Sequence, residues 1–288
     1  MKKSYLFING FILKIIAFTL MTLDHIGIFL ISSFNNVRLG EIFRLFGRFA
    51  FPLFILMLIE GLRHTKSFPK YALRLGIVAT IVLLAQVIIY YNFDNSIGDA
   101  YSPLIDLLCY GTFLYFLSKK NKWSVLALIP FALIVLSFVV MVMEENGTKV
   151  LWFPFYVRSG YSIFGFIMAV LMYYSYPLLK KFYTLYNMDV EGFEEQTSFR
   201  VAYNVACSFA VFVAVIIIYL IAKAPGGDLY GINRTGYSET WALASIPIIM
   251  FYSGKRGYNA KWFQYASYLY FPFHLVIIYL VFYIVGLV

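Results

Sequence analysis

The feature that most constrains this chain is a succession of apolar runs, each about 20 residues long and each ended by Gly, Pro, Asn or a charge. A helix of about 20 residues crosses the roughly 30 Å hydrocarbon core of a bilayer, and a water-soluble domain has no use for so many. Breakers cut the 288 residues near 8–33, 43–62, 70–91, 101–118, 123–143, 152–178, 199–222, 237–253 and 265–287. The predicted fold is an all-α polytopic integral membrane protein, with about nine transmembrane helices (range eight to ten) and one transmembrane domain over residues 1–288. The sixth run carries Pro154, Arg158 and Gly160 near its start, which predicts a broken or re-entrant entry.

The net charge of +9 would suggest nucleic acid for a soluble protein. Here the cations fall on one side instead. With the N-terminus in the cytoplasm, the inner loops collect Lys2, Lys3, Arg63, Lys66, Lys70, Lys119, Lys120, Lys122, Lys180, Lys181, Arg200, Lys255, Arg256 and Lys261. The outer loops keep Arg38, Lys149, Lys223 and Arg234. This asymmetry predicts a bacterial cytoplasmic-membrane protein with its C-terminus outside, and it accounts for the basic pI without nucleic acid. The basic opening resembles a signal peptide, but its apolar run is too long and has no small-residue cleavage site, so it is read as the first span. The inner loop around Asp189, Glu191, Glu194 and Glu195 is expected to form a short surface helix. Cys109 and Cys207 stand alone in apolar runs and read as buried, inert thiols; no metal site is called for.

Only 13% of the residues are charged, so a charge inside a span carries most of the functional information. Lys14 and His25 are separated by ten residues, which places them about 16 Å apart along a helix. Eleven steps of 100° return them to nearly the same face. A neutral imidazole in hydrocarbon beside Asp24 is the candidate general base. Taken alone, Lys14 is equally well read as a snorkelling lysine. Arg44 and Arg48 lie one turn apart in the second span, above Pro52 as a kink and Glu60 near the inner end. Arg48 is expected to pair with Asp24, with an anionic substrate group as the alternative. Arg63, His64, Lys66, Lys70 and Arg74 make a cationic cluster at the inner face, equally well read as an ordinary basic inner loop; Arg74 falls inside the third span and, with Lys14, is placed to grip phosphate. His274 follows Pro272 in the last span, near its inner third, and a satisfied core histidine is the favoured reading there. Asp106 and Arg158 are intramembrane polar groups without an assigned role.

At these residues the sequence resembles the TraX family, whose namesake acetylates the N-terminus of a conjugative pilin. The resemblance is carried by Met21-Thr22-Leu23-Asp24-His25-Ile26-Gly27 and by Gly47-Arg48-Phe49-Ala50-Phe51-Pro52-Leu53-Phe54 with Glu60-Gly61. Tyr71-Ala72-Leu73-Arg74-Leu75 and Tyr270-Phe271-Pro272-Phe273-His274-Leu275 complete it. More distantly, the layout is similar to the acyltransferase-3 superfamily, in which a basic residue, ten residues and a histidine occupy the first span. That family sets two arginines around one residue in its third span, whereas here Arg74 is followed by Leu75 and Gly76.

The resemblance implies a membrane-embedded acyltransferase with an acyltransferase-3-like helix bundle and acetyl-CoA as co-substrate. His25 and Asp24 are then catalytic, and Lys14, Arg74, Arg63, Lys66 and Lys70 hold the donor. Arg48, Arg44, Glu60 and His274 are structural or orient the substrate. The implied acceptor is the amine of a membrane peptide or pilin-like N-terminus, or alternatively a hydroxyl of an envelope glycan or lipid-linked sugar. Two other classes stay open: a transporter or flippase, although no internal repeat is visible, and a non-catalytic assembly partner packed through its aromatic surface.

Overall fold

The computed structural model describes residues 5–34, 36–92, 102–145, 147–186, 196–223 and 239–284. The described residues are helical almost throughout. In chain order the helices are α1 (Gly10–Phe34), α2 (Val37–Gly47), α3 (Ala50–His64), α4 (Phe68–Asn92) and α5 (Pro103–Ser118). After a 3₁₀ lead at Lys122–Ala127 come α6 (Leu128–Glu145), α7 (Ser162–Leu185) and α8 (Thr197–Lys223). A 3₁₀ stretch at Thr240–Ser245 runs into α9 (Ile246–Met250), and α10 (Lys261–Ile284) closes the chain.

Seven helical stretches among the described residues are long and apolar enough to cross a membrane, with α2 and α3 counted as one. Pro103–Ser118 and Thr240–Met250 are shorter apolar helices. The protein is a polytopic helix bundle, and these nine pieces fall where the nine apolar runs do. Exposed apolar stripes suit a lipid environment: Leu73, Ile77, Ile81, Leu84 and Ile88 of α4 are all exposed, at helical spacing.

The second span is broken at Arg48 and Phe49 rather than bent at Pro52. The cause is still Pro52, which has no N–H to give the carbonyl four residues earlier, that of Arg48, and whose ring crowds it. The sixth run is irregular through Phe155–Val157 and turns helical only at Ser162. Arg158 explains that entry. Its guanidinium pairs with both Glu144 carboxylate oxygens and donates to the Phe153 carbonyl, stapling the loop to the end of α6.

Asp106 is fully buried in the first turn of α5 and caps the start of α7. Its carboxylate accepts the backbone N–H groups of Gly160, Tyr161 and Ser162 at 3.1–3.2 Å and the hydroxyls of Tyr110 and Ser159. A carboxylate suits these unpaired donors at the positive end of a helix.

α1 and α2 form a tight hairpin. A Cβ on Gly27 would lie 2.7 Å from the Gly40 carbonyl, and one on Gly47 would lie 2.2 Å from Asp24 Cβ. Small residues let the backbones approach, as is usual between helices in lipid.

At one end of the bundle, here termed the basic end, Ile8 pairs with the chain at Phe251 and Ser253, and the Gly10 N–H donates to the Lys255 carbonyl. The Asn204 side-chain amide donates to the carbonyls of Met250 and Tyr252, which ties the end of α9 to α8. Cys109 and Cys207 are buried and form no disulfide. Residues 187–195, which hold all four acids of the segment expected to form a surface helix, lie outside the described residues.

Candidate active site

α1 and α10 both start at the basic end, so the heights of their side chains follow from residue counts. His25 lies fifteen residues beyond Gly10, about 22 Å, and His274 lies thirteen beyond Lys261, about 20 Å. The two histidines therefore meet. Their ring centroids are 4.8 Å apart at 82°, with Nε2 of His274 3.4 Å from Nδ1 of His25. His274 is not in the inner third, as the sequence reading had it, but level with His25.

The hydrogen bonds decide which nitrogen carries each proton. Nδ1 of His25 lies 2.8 Å from the Met21 carbonyl and Nδ1 of His274 lies 2.9 Å from that of Tyr270. A carbonyl only accepts, so both Nδ1 atoms carry a hydrogen, and in the neutral rings both Nε2 atoms carry lone pairs. Nε2 of His274 faces the His25 Nδ1–H, which is shared between it and Met21. Nε2 of His25 has no hydrogen-bond partner among the described residues.

His274 is held in turn. It is 5% exposed and its ring stacks on Tyr270 at 5.3 Å. Tyr270 stacks on Phe18 at 4.5 Å, and its hydroxyl hydrogen-bonds Thr22 and the Phe18 carbonyl. A ring nitrogen left open while the opposite one is held by a fixed group is an arrangement that can serve a general base.

Asp24 points elsewhere. Its carboxylate packs on Gly47, with Oδ1 3.9 Å from Nε of Arg44, and no hydrogen bond joins it to His25. The expected Arg48–Asp24 pair is replaced: Nη1 of Arg48 lies 2.9 Å from Oε1 of Glu239, and both side chains are well buried. Asp24 and Tyr161 lie near enough to act on the same guanidinium. Glu239 escaped the sequence reading because it sits at the start of the short eighth run, where a boundary acid looks like a loop residue.

At the basic end Glu60 gathers cations. Nη1 of Arg200 lies at 2.9 Å, Nη1 of Arg63 at 3.3 Å and Nε2 of His64 at 3.4 Å from its oxygens. The Arg63 guanidinium also stacks on Tyr176 at 3.3 Å. Arg200, counted from sequence only as a loop cation, is thus part of a buried cluster.

The other candidate donor residues are spread out. Lys66 lines a cavity of about 430 Å³ with Thr65, Ser67, Tyr115, Lys119 and Tyr173. Lys70 and Arg74 are exposed on α4, and Lys14 is half-buried with Nζ 5.7 Å from the Phe263 ring.

The segments that build the histidine pair are the first and last of the chain, and the TraX protein family model matches residues 9–282, spanning both. The chain belongs to the TraX family. Comparison with curated proteins and with solved structures finds no match. The TraX match takes in every residue of the site just described: Asp24, His25, Arg44, Arg48, Glu60, Glu239, Tyr270 and His274.

Proposed function

We propose that this TraX-family protein is an acetyltransferase of the bacterial cytoplasmic membrane, with its N-terminus in the cytoplasm and its C-terminus outside. It moves the acetyl group of cytoplasmic acetyl-CoA to the amine of a membrane peptide or pilin-like N-terminus. The observation that carries this reading is the free lone pair on Nε2 of His25, aimed by His274 through the opposite ring nitrogen. The association of TraX proteins with pilin acetylation supports the amine acceptor.

In this reading the acceptor nitrogen attacks the thioester carbonyl while Nε2 of His25 takes its proton. The resulting imidazolium is stabilised because its Nδ1–H already points at the Met21 carbonyl and His274 Nε2. Collapse of the tetrahedral adduct breaks the C–S bond, and the proton on Nε2 goes to the departing thiolate. A general base of this kind contributes about 10²–10⁴ in rate. Asp24 and Arg44 shape the wall beside the base. Lys14, Lys66, Lys70 and Arg74 make the donor's approach cationic, and Arg63, held by Glu60, frames it. The Lys14 to His25 separation of about 16 Å suits an extended pantetheine arm.

The test is transfer of a labelled acetyl group from acetyl-CoA to a peptide amine by the purified protein in lipid nanodiscs. Acetylation that needs His25 supports the assignment. Transfer only to a sugar hydroxyl would make the protein an O-acetyltransferase, and no transfer to either acceptor would overturn the reading.

A further inference from the structure

Most of the arginines in the bundle are matched by acids: Arg44, Arg48, Arg63, Arg158 and Arg200 all have a carboxylate partner. A second set of cations at the basic end has none. Lys14, Lys255, Arg256 and Lys261 form no ion pair with any described carboxylate, and the last three are exposed.

Lys255 and Arg256 are held by a folded loop against the foot of α1. Gly254 and Gly257 take φ of +72° and +69°, which lets the chain turn sharply at both ends of Lys255-Arg256. A side chain at Gly254 would strike Arg200, and one at Gly257 would strike the Asn9 side chain. Between them, the carbonyls of Lys255 and Arg256 accept the N–H groups of Gly10 and Phe11 at 2.7 and 3.0 Å. The loop is thus bonded to the first turn of the helix that carries His25. Lys14, one turn farther along that helix, is close enough to Arg256 for their charges to interact.

An aromatic platform adjoins the loop. Tyr258 is 50% exposed and Trp262 63%, and Trp262 donates its indole N–H to the Tyr258 hydroxyl at 2.8 Å. Tyr258 also packs edge-on to Phe11 at 5.5 Å. Flat exposed rings beside unpaired cations suit a base joined to phosphates: the base stacks while Lys and Arg neutralise the oxygens. A phosphate monoester alone carries about −1.5 to −2 at pH 7.

We infer that the 253–257 loop, with Lys14, Lys261, Tyr258 and Trp262, binds the phosphorylated adenosine end of the acyl-CoA donor. The inference rests on the donor reading proposed above and gives that donor a specific seat. The nucleotide docks at the foot of α1, and the pantetheine arm runs up the same helix from Lys14 to His25.

Free CoA is the probe, titrated against the purified full chain in nanodiscs of zwitterionic lipid. Lys255→Ala with Arg256→Ala is expected to weaken CoA about ten- to a hundredfold, and Trp262→Ala about fivefold or more. Lys255→Arg with Arg256→Lys is expected to restore most of the affinity, which separates lost charge from misfolding. Turnover of S-acetylpantetheine, which has no nucleotide, is expected to fall far less than turnover of acetyl-CoA in the double alanine variant. Wild-type affinity for CoA in that variant would overturn the inference while leaving the donor reading intact. If the wild type binds no CoA, and the double variant instead loses its preference for vesicles containing phosphatidylglycerol, the loop is a lipid-headgroup surface and both readings fall.

Discussion

Nε2 of His274 lies 3.4 Å from Nδ1 of His25, joining residues 249 positions apart on the first and last helices of the bundle. In the proposed mechanism this contact leaves Nε2 of His25 as the basic atom and makes His274 a positioning residue. His25→Ala is expected to lower acetyl transfer by about 10²–10⁴ with little change in thermal stability. Wild-type turnover in that variant would remove the base from this helix.

His274→Ala is expected to cost less, about two- to tenfold in kcat, because one neutral hydrogen bond is lost. KM for the donor should hold steady while the pH–rate profile shifts, since the group that steadies the His25 imidazolium is gone. An unchanged profile would mean that His274 only packs.

Glu239→Gln tests the ion pair with Arg48. Removing one charge from a buried pair strands the other, so a loss of about 3–5 kcal/mol is expected in thermal or denaturant melting. Asp24→Asn should cost much less, because Asp24 is at the edge of salt-bridge range from a partly exposed Arg44.

Two glycines make a contrasting pair. A Cβ at Gly47 would sit 2.2 Å from Asp24 Cβ, so Gly47→Ala should force α2 off α1 and destabilise by about 1–3 kcal/mol. At Gly76 the nearest atom to a new Cβ is 4.0 Å away. Gly76→Ala is expected to be neutral or to stabilise by up to about 1 kcal/mol, as alanine favours the helix. Melting temperatures of the two variants check both.

Sidedness is open to chemical labelling. The proposed topology puts Asn121 inside and Thr148 outside. A cysteine at Thr148 should react with an impermeant maleimide on intact cells, and one at Asn121 only after permeabilisation. The reverse pattern would move the donor to the other face.

What the sequence determined by itself was everything that repeats along a helix. Apolar run length sets the number of crossings, and 1.5 Å and 100° per residue put Lys14 and His25 on one stripe without reference to any neighbour. Even the break at Arg48 was latent in Pro52, whose missing N–H acts four residues upstream. Tertiary structure alone decided which helix faces which, because side chains on neighbouring spans pair across lipid-excluded contacts that leave no mark in local spacing. It gave His25 a partner in His274 rather than Asp24, and gave Arg48 a counterion in Glu239. It brought Arg200 to Glu60, and it left the cations of the 253–257 loop without a carboxylate partner among the described residues. A buried charge must find its opposite, and the sequence states that need; the order of helices in the bundle names the partner.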